Sequence, residues 1–581
     1  MNVAQYKPSN TMTAQALESI SHFASIGNVV EAAGVSSSAA DAGDENAAYA
    51  NAAEREIDGI SYTFDFAPDG ACRIAKCESD VAEIRIPSRV DEHPVTVIGS
   101  HAFCTCYSLE RVHVPDTVVE IGEYAFMNTS LDEFNCPSGL HRIGKNAFYK
   151  CSQLARICLN GTLAYLGESA FRETALASLD VPASVGFIGQ DAFKGTRLTF
   201  AGESPSLRIA PDNPRYGLLD DALYCAREDG LSLVQALDEH AEDFTGPENL
   251  VIVEDRAFAG LKELRHVTLP EGVDLVGDEA FKGCTSLTGV ELPDSVRLIG
   301  QHAFWGTALR TLRIPASLEH VGTAAFYTGG SIARNFKRTI ERIDIAPANG
   351  RFYLHDDILC QRRDGAGDIA LIYIGSSARI TIPRNVTAIG PYAFLKAANV
   401  TELHIHDGIE AIDVGGFDFG HAVTSVVYDA HDDGGASRRY VISYPPGQAG
   451  RQATRQTFAR GYFNLAYAYA SADNAVLITQ DTLVRSKAML ERLANPVMLD
   501  KHMAAEFVRK LERTLTATVV AFGKGGFPQG IDLLFDRGML NQDTIDEAIQ
   551  AASEAGEIAV LSRLMELKRT AFASPMFDFD L

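Results

Sequence analysis

Tryptophan occurs once in the 581 residues, and the 51 basic residues are well outnumbered by 76 acidic ones. The formal charge of -25 and isoelectric point near 5.0 argue against a phosphate-binding surface as the main activity, because nucleic-acid affinity rests on clustered Lys and Arg. Residues 481–581 hold twelve basic against fifteen acidic residues, so the acidity belongs to the front and middle of the chain. No run of about 18 apolar residues occurs, and SPMFDFDL at the end is no anchor, so membrane insertion is not expected. Met1–Ala40 carries Lys7 as its only Lys or Arg, and its longest apolar stretch is broken by Gly27, Asn28 and Glu31. That is no secretory signal, and a cytoplasmic location is the expectation, with cell surface or secretion as the alternative. Ten cysteines spread over such a length, without an export signal, read as reduced and mostly buried thiols. Gly-x-Ser-x-Gly, His-Glu-x-x-His and dinucleotide fingerprints are missing, so no catalytic residue, metal or cofactor is nominated.

What the chain has in abundance is phenylalanine, 30 residues of it, and a large share is tied to one motif. Ile-Gly-x-x-Ala-Phe begins at Ile98, Ile121, Ile143, Ile188, Ile299 and Ile389, with variants at Leu166, Val276 and Val321. The marked phenylalanines stand at 103, 126, 148, 171 and 193, then 258, 281, 304 and 326, then 394 and 417, in steps of 22 or 23 within each group. A period in the low twenties is one coil of a leucine-rich-repeat solenoid, with a short strand and a return segment whose apolar face is buried only by its neighbours. The strand follows each Phe as Leu-x-x-Val-x-Val-Pro, seen in Leu109, Val112, Val114 and Pro115, and again in Leu264, Val267, Leu269 and Pro270. Its period-two pair points inward, and the proline ends it where no ladder donor is needed.

The choice between 22 and 23 has a cause three residues beyond Phe, where Cys106, Cys151 and Cys284 are followed by two residues and then Leu, and Thr129, Thr174, Thr196 and Thr307 by only one. Small polar groups here can satisfy backbone groups as the chain turns, which makes the Cys and Thr ladder a structural device rather than a redox or metal site.

Ile-Gly-x-x-Ala-Phe followed by Cys-x-x-Leu and Val-x-Val-Pro resembles the BspA-like, or Treponema-type, leucine-rich repeats of many bacterial surface proteins. The resemblance spans residues 59–430 and implies an α/β solenoid with a parallel sheet. Two intervals are longer, and IAPDNPRYGLLDDALYC from Ile209 parallels IAPANGRFYLHDDILC from Ile345 at an offset of 136, so two enlarged coils are expected. Residues 1–58 read as an acidic, disordered leader, 431–480 as cap and linker, and 481–581 as an all-α helical tail that resembles ankyrin-type repeats without their Thr-Pro-Leu-His motif. In that tail Ile545, Ala548, Ile549 and Ala552 line one face, and Thr544 and Glu547 stand at capping-box spacing.

Strand residues alternating with buried ones face outward, so the sequence predicts its own surface. One column reads Glu83, Arg111, Glu133, Arg156, Ser178 and continues with His266, Gly289, Thr311, Arg342 and Glu402. The other reads Arg85, His113, Asn135, Cys158, Asp180, then Thr268, Glu291, Arg313, Asp344 and His404. These columns form the candidate face for a protein partner. Because Glu and Arg alternate between neighbouring strands, cross-strand pairing with no dedicated ligand is the competing reading. A non-catalytic binding scaffold is the resulting expectation, with a surface adhesin as its alternative. Cys104-Thr-Cys106 and His404-x-His406 are two-ligand fragments without partner pairs at zinc spacing, and GKGGF at Gly523 lacks the ending of a phosphate loop and reads as a helix connector.

Overall fold

A computed structural model describes residues 51–572 apart from 105, 199–205, 329–338, 396, 398, 414, 418–422, 432–435, 446–447 and 459–462. The leader expected over 1–58 lies outside the described residues as far as 50. Residues 51–57, expected to belong to it, are instead a strand that pairs antiparallel with Ile60–Phe66. The turn between them is Asp58-Gly59, both with positive φ (51° and 77°), the dipeptide that two-residue hairpins favour.

The described residues fall into two compact units, those within 51–241 and 247–258 and those within 242–246 and 259–572. Both contain leucine-rich-repeat coils stacked through parallel strands. In the first unit the hairpin leads into Cys72–Glu78 and a parallel ladder of His93–Ile98, Glu120–Ile121, Arg142–Ile143, Tyr165–Leu166 and Phe187–Ile188. A second set of parallel pairs is made by the Val-x-Val segments: Glu83–Arg85 with Arg111–His113, Glu133–Asn135 with Arg156–Cys158, and Leu179–Val181 with Leu207–Ile209. Each coil thus supplies two short strands where the sequence suggested one, because the residues leading into Gly are extended and bond to the same residues of the next coil.

Gly is required in the motif by this stacking. A Cβ on Gly144 would sit 2.7 Å from the Gly122 carbonyl carbon, and one on Gly167 would sit 2.5 Å from that of Gly144. Phe, five residues after Ile, lies inside: the rings of Phe103, Phe126, Phe148, Phe171 and Phe193 stack at centroid separations of 5.1, 5.4, 5.7 and 6.4 Å. The periodicity is therefore written in the two residues that coil-to-coil contact constrains most, one by lack of room and one by the space it fills.

The enlarged coil of the first unit inserts three antiparallel strands, Tyr216–Leu219, Ala222–Ala226 and Leu231–Ala236. In the second unit Phe352–His355, Ile358–Gln361 and Asp368–Tyr373 do the same, and Phe352 faces Gln361 as Tyr216 faces Cys225, so the offset of 136 holds in three dimensions. The second unit's coils carry Phe281, Phe304 and Phe326 in one stack and Phe394 with Phe417 in another. Its last sheet runs Arg379–Thr381, Glu402–His406, Ser425–His431 and is closed by the antiparallel strand Ser437–Ser443, in a stretch expected to be loop. That strand is an edge whose Ile442 is buried opposite Val426, while its preceding arginines disguise it in the sequence.

Eight helices follow among the described residues: α1 (Gln448–Phe458), α2 (Leu465–Ile478), α3 (Thr482–Ala494), α4 (Lys501–Arg513), α5 (Leu515–Lys524), α6 (Gly530–Asp536), α7 (Ile545–Glu554) and α8 (Ile558–Ala571). Helices start earlier than the change of spacing at 481. Helix α2 is apolar around most of its circumference and so shows no 3.6-residue stripe. Phe458, Ala468, Tyr469, Ala472 and Ala475 share a core with the last coils, whereas residues from Val476 to Leu567 build a core of their own. Asp481 caps α3 by accepting from the Val484 amide at 2.9 Å. The capping box expected at Thr544 and Glu547 does not form. Thr544 Oγ1 donates back to the Met539 carbonyl at 2.8 Å, and Asn541 Oδ1 takes the amides of Asp543 and Thr544. Gly538 and Gly556, each at φ 72°, follow the C-terminal ends of α6 and α7, and GKGGF runs from the last two residues of α5 into its connection to α6.

Candidate functional site: the outward columns of the strands

Strand alternation places the candidate residues outward as their period requires. In the first unit Glu83 gathers three partners, with Arg111 at 3.3 Å, Arg85 at 2.9 Å and His113 Nε2 at 3.1 Å. The His113 hydrogen bond, with help from Arg111 and Arg85, holds the Glu83 carboxyl below the usual carboxylate range. Arg156 meets Glu133 at 3.0 Å from the neighbouring coil. Asn135 is exposed and stands in register with the exposed Cys158. Asp180 is held by Arg208 through a 2.9 Å bond, which depresses its carboxyl.

In the second unit His266 Nδ1 lies 3.1 Å from Asp243, and Thr268 donates to Glu291 at 3.3 Å. Arg313 and Asp344 share a register position but do not bond to each other. Arg313 instead reaches back to Asp294 in the turn of the preceding coil at 2.6 Å, and Asp344 takes Arg342 of its own strand, also at 2.6 Å. Glu402 pairs with Arg379 at 2.9 Å and with His404, and these hydrogen bonds, His404 first, lower its carboxyl.

Sequence reasoning passed over Arg208, Asp243 and Arg379, each the partner of a nominated residue. They belong to strands of the enlarged coils or beside them, where no Phe motif marks the register. The signal was present in the duplication, since Arg379 lies 136 residues after Asp243 and Asp344 lies 136 after Arg208.

The two-ligand fragments are accounted for by packing. His406 is buried, its Nε2 bonded to the Pro383 carbonyl oxygen at 2.9 Å and its Nδ1 accepting from the Gly408 amide at 3.1 Å. Burial lowers its pKa, which suits a neutral ring. Cys106 is buried and directs its thiol to the Cys77 carbonyl oxygen at 3.5 Å, and Cys104 is half-buried. All ten cysteines are free thiols. Among the described residues no group of three or more His, Cys, Asp or Glu could hold a metal ion, and no helix is long and apolar enough to cross a membrane.

Comparison with known proteins agrees with this geometry. The family model described as BspA type leucine-rich repeat region matches residues 76–199, 238–344 and 367–430, more than half of the chain. Among solved structures, a leucine-rich cell surface protein of Faecalibacterium prausnitzii is 25% identical over 63% of this chain and 74% of its own, at a TM-score of 0.27. The pneumococcal vaccine antigen PcpA is 17% identical over 66% of this chain and 94% of its own, at 0.39. A leucine-rich repeat protein of Bacteroides ovatus is 20% identical over 62% of this chain and 92% of its own, at 0.32. No curated protein matches the chain. By its repeat motif, its stacked coils and the extent of that match, the chain belongs to the BspA-type leucine-rich repeat family.

Proposed function

We propose that the protein is a non-catalytic scaffold that binds a protein partner through the outward strand columns, with the helical tail as a second contact. The observation that carries this reading is the exposure of charges already set in register. Arg156 and Glu133 form an ion pair across neighbouring coils while their side chains remain 75% and 43% exposed. An ion pair so open to water contributes roughly 0–1 kcal/mol to stability, so the fold does not depend on it. Its rigid placement serves recognition better than folding, because complementary charges steer a partner and fix its register.

Affinity capture from native lysate tests the face, comparing the intact chain with a variant in which Arg111, Arg156 and Arg313 become Glu. A partner lost only from the variant supports the reading, and identical partner profiles remove the face from consideration. Membership of a family abundant in bacterial surface proteins favours a second reading, a surface adhesin. Protease shaving of intact cells separates the two: cleavage supports the adhesin, and protection supports a scaffold inside the cell.

A further inference from the structure

The enlarged coil of the second unit borders a cleft of about 560 Å³, within the range of small-molecule sites. Tyr327 and Tyr392 line it together with Arg351, Arg362 and Arg363. Its two carboxylates have partners of their own: Asp364 is held by Arg351 at 2.9 Å, and Asp413 is likewise engaged.

Internal duplication shows what is special here. With the two copies matched on the Phe of each coil, the first-unit positions equivalent to Trp305, Ala324, Tyr327 and Tyr392 are Arg172, Asp191, Lys194 and Arg256. Those four form an ionic cluster around the Asp191 carboxylate, which is 2% exposed and takes Arg172 at 3.6 Å, Lys194 at 3.5 Å and Arg256. The second unit replaces the three cations with rings and the central carboxylate with Ala324: Tyr327 stacks on Trp305 at 4.1 Å, and Tyr392 meets the two edge-on at 5.4 and 6.0 Å.

A second pair of changes acts on charge. Arg227 of the first unit bonds to Asp229 at 3.4 Å, but its equivalent Arg363 has Gly365 where that carboxylate stood. Arg363 therefore donates to the Gly367 carbonyl oxygen at 2.8 Å and the Thr387 hydroxyl at 3.2 Å. Arg362 occupies the place of Ala226, donating to the Gly350 carbonyl oxygen at 2.6 Å and lying over the Tyr353 ring at 4.6 Å. Among the described residues neither guanidinium has a carboxylate partner, in a chain of net charge -25. One internal copy has filled this place with paired charges, and the other has cleared it, walled it with aromatic rings and set two cations beside it.

We propose that this cleft binds a small carboxylate carried on a ring, an acidic sugar or an aromatic acid. The ring lies against Tyr327 and Tyr392, and the carboxylate takes guanidinium N–H groups of Arg362 and Arg363. Neutral sugars lack the group that the two arginines select. This site is separate from the outward columns and stands or falls independently of them.

Trp305 is the chain's only tryptophan and packs on both tyrosines that line the cleft, so its fluorescence, excited where tyrosine does not absorb, reports on the rings beside the cleft. The full-length protein is titrated with glucuronate, benzoate and glucose at millimolar concentrations. A saturable change with glucuronate marks an acidic-sugar site, and one with benzoate an aromatic-acid site; either supports the proposal if glucose gives no comparable response. Arg362→Gln together with Arg363→Gln weakens the response by about tenfold or more while the melting curve stays in place. Because Arg362 is exposed, Arg362→Gln alone serves if the double variant fails to fold. Silence toward both carboxylates, an equal response to glucose, or undiminished binding in the folded variant overturns the proposal.

Discussion

The Thr129 hydroxyl lies 3.3 Å from the Cys151 thiol, and both donate to one acceptor, the Phe126 carbonyl oxygen, at 3.0 Å each. Thr174, Thr196 and Thr307 repeat the contact with the carbonyl of their own coil's Phe at 2.8, 2.8 and 3.0 Å. The alternation of Cys and Thr at this corner thus belongs to backbone satisfaction. Burial pushes the Cys151 thiol up to about 11 and the Cys136 thiol up to about 12, so neither is a ready nucleophile at neutral pH.

Alkylation of the folded protein at pH 8 is expected to modify the exposed Cys158 first, and the buried Cys151 and Cys284 only in denaturant. Peptide mass spectrometry reads the order. Early modification of Cys151 in the native state would refute its structural assignment.

Phe148 stacks between Phe126 and Phe171 and is fully buried. Phe148→Ala is expected to cost about 3–5 kcal/mol, because it leaves a cavity bounded by two neighbouring coils that cannot close on it. Gly167→Ala is expected to destabilise as well, since the new methyl group meets the Gly144 backbone at 2.5 Å. Urea denaturation measures both, and wild-type stability in either variant would contradict the stacking described.

Asp473 on α2 and Arg492 on α3 form an ion pair at 2.6 Å with side chains only 3% and 14% exposed. Arg492 also lies over the Tyr469 ring at 4.7 Å. The pair joins a helix packed on the last coils to the first helix of the separate helical core. Asp473→Ala is expected to cost about 3–5 kcal/mol by leaving a guanidinium largely desolvated and unpaired. Hydrogen exchange should speed up around α2 and α3 more than in the Phe-stacked coils. A uniform change would show that the pair does not govern this junction.

Protonation of His406 should destabilise the protein. Its folded pKa is lowered by burial, so the unfolded chain takes up the proton first as pH falls. Its stabilising contribution is therefore present above the unfolded value of about 6.5 and is lost as pH drops toward the folded value. The melting temperature should fall between pH 7.5 and 5.5, and His406→Gln should flatten that part of the profile. The depressed carboxyls of Glu83, Asp180 and Glu402 act lower, supporting stability above about pH 4 and losing it with further acidification. An unchanged slope in His406→Gln would assign the effect elsewhere.

Much of the architecture is legible along the chain because each coil faces the same local problem. Gly is demanded wherever backbones touch, Phe wherever the interior must be filled, and Cys or Thr wherever a carbonyl needs a donor at the corner. The strand at 437–443 escaped notice since an edge strand needs only one apolar face, and the capping box at Thr544 misled because spacing alone does not set the backbone angle of the cap. The outward columns were legible as positions but not as partners. Arg313 could have met Asp344 across the sheet, and the choice of Asp294 depends on the reach of a long side chain into the neighbouring turn.

By itself the sequence determined the coil, its two lengths, its family and the existence of two enlarged copies, because a repeated local contact leaves a repeated residue. Tertiary structure alone decided which duplicated positions converge. Arg172, Asp191, Lys194 and Arg256 come from three stretches of the chain and are unremarkable in composition, as are Trp305, Tyr327, Tyr392 and the arginines at 362 and 363. Stacking of successive coils gathers one set into a closed ionic cluster, and in the other copy the antiparallel insert brings its arginines to the edge of an aromatic cleft. Periodicity records contacts that every coil makes, and convergence of unlike residues from separate coils has no period to record it.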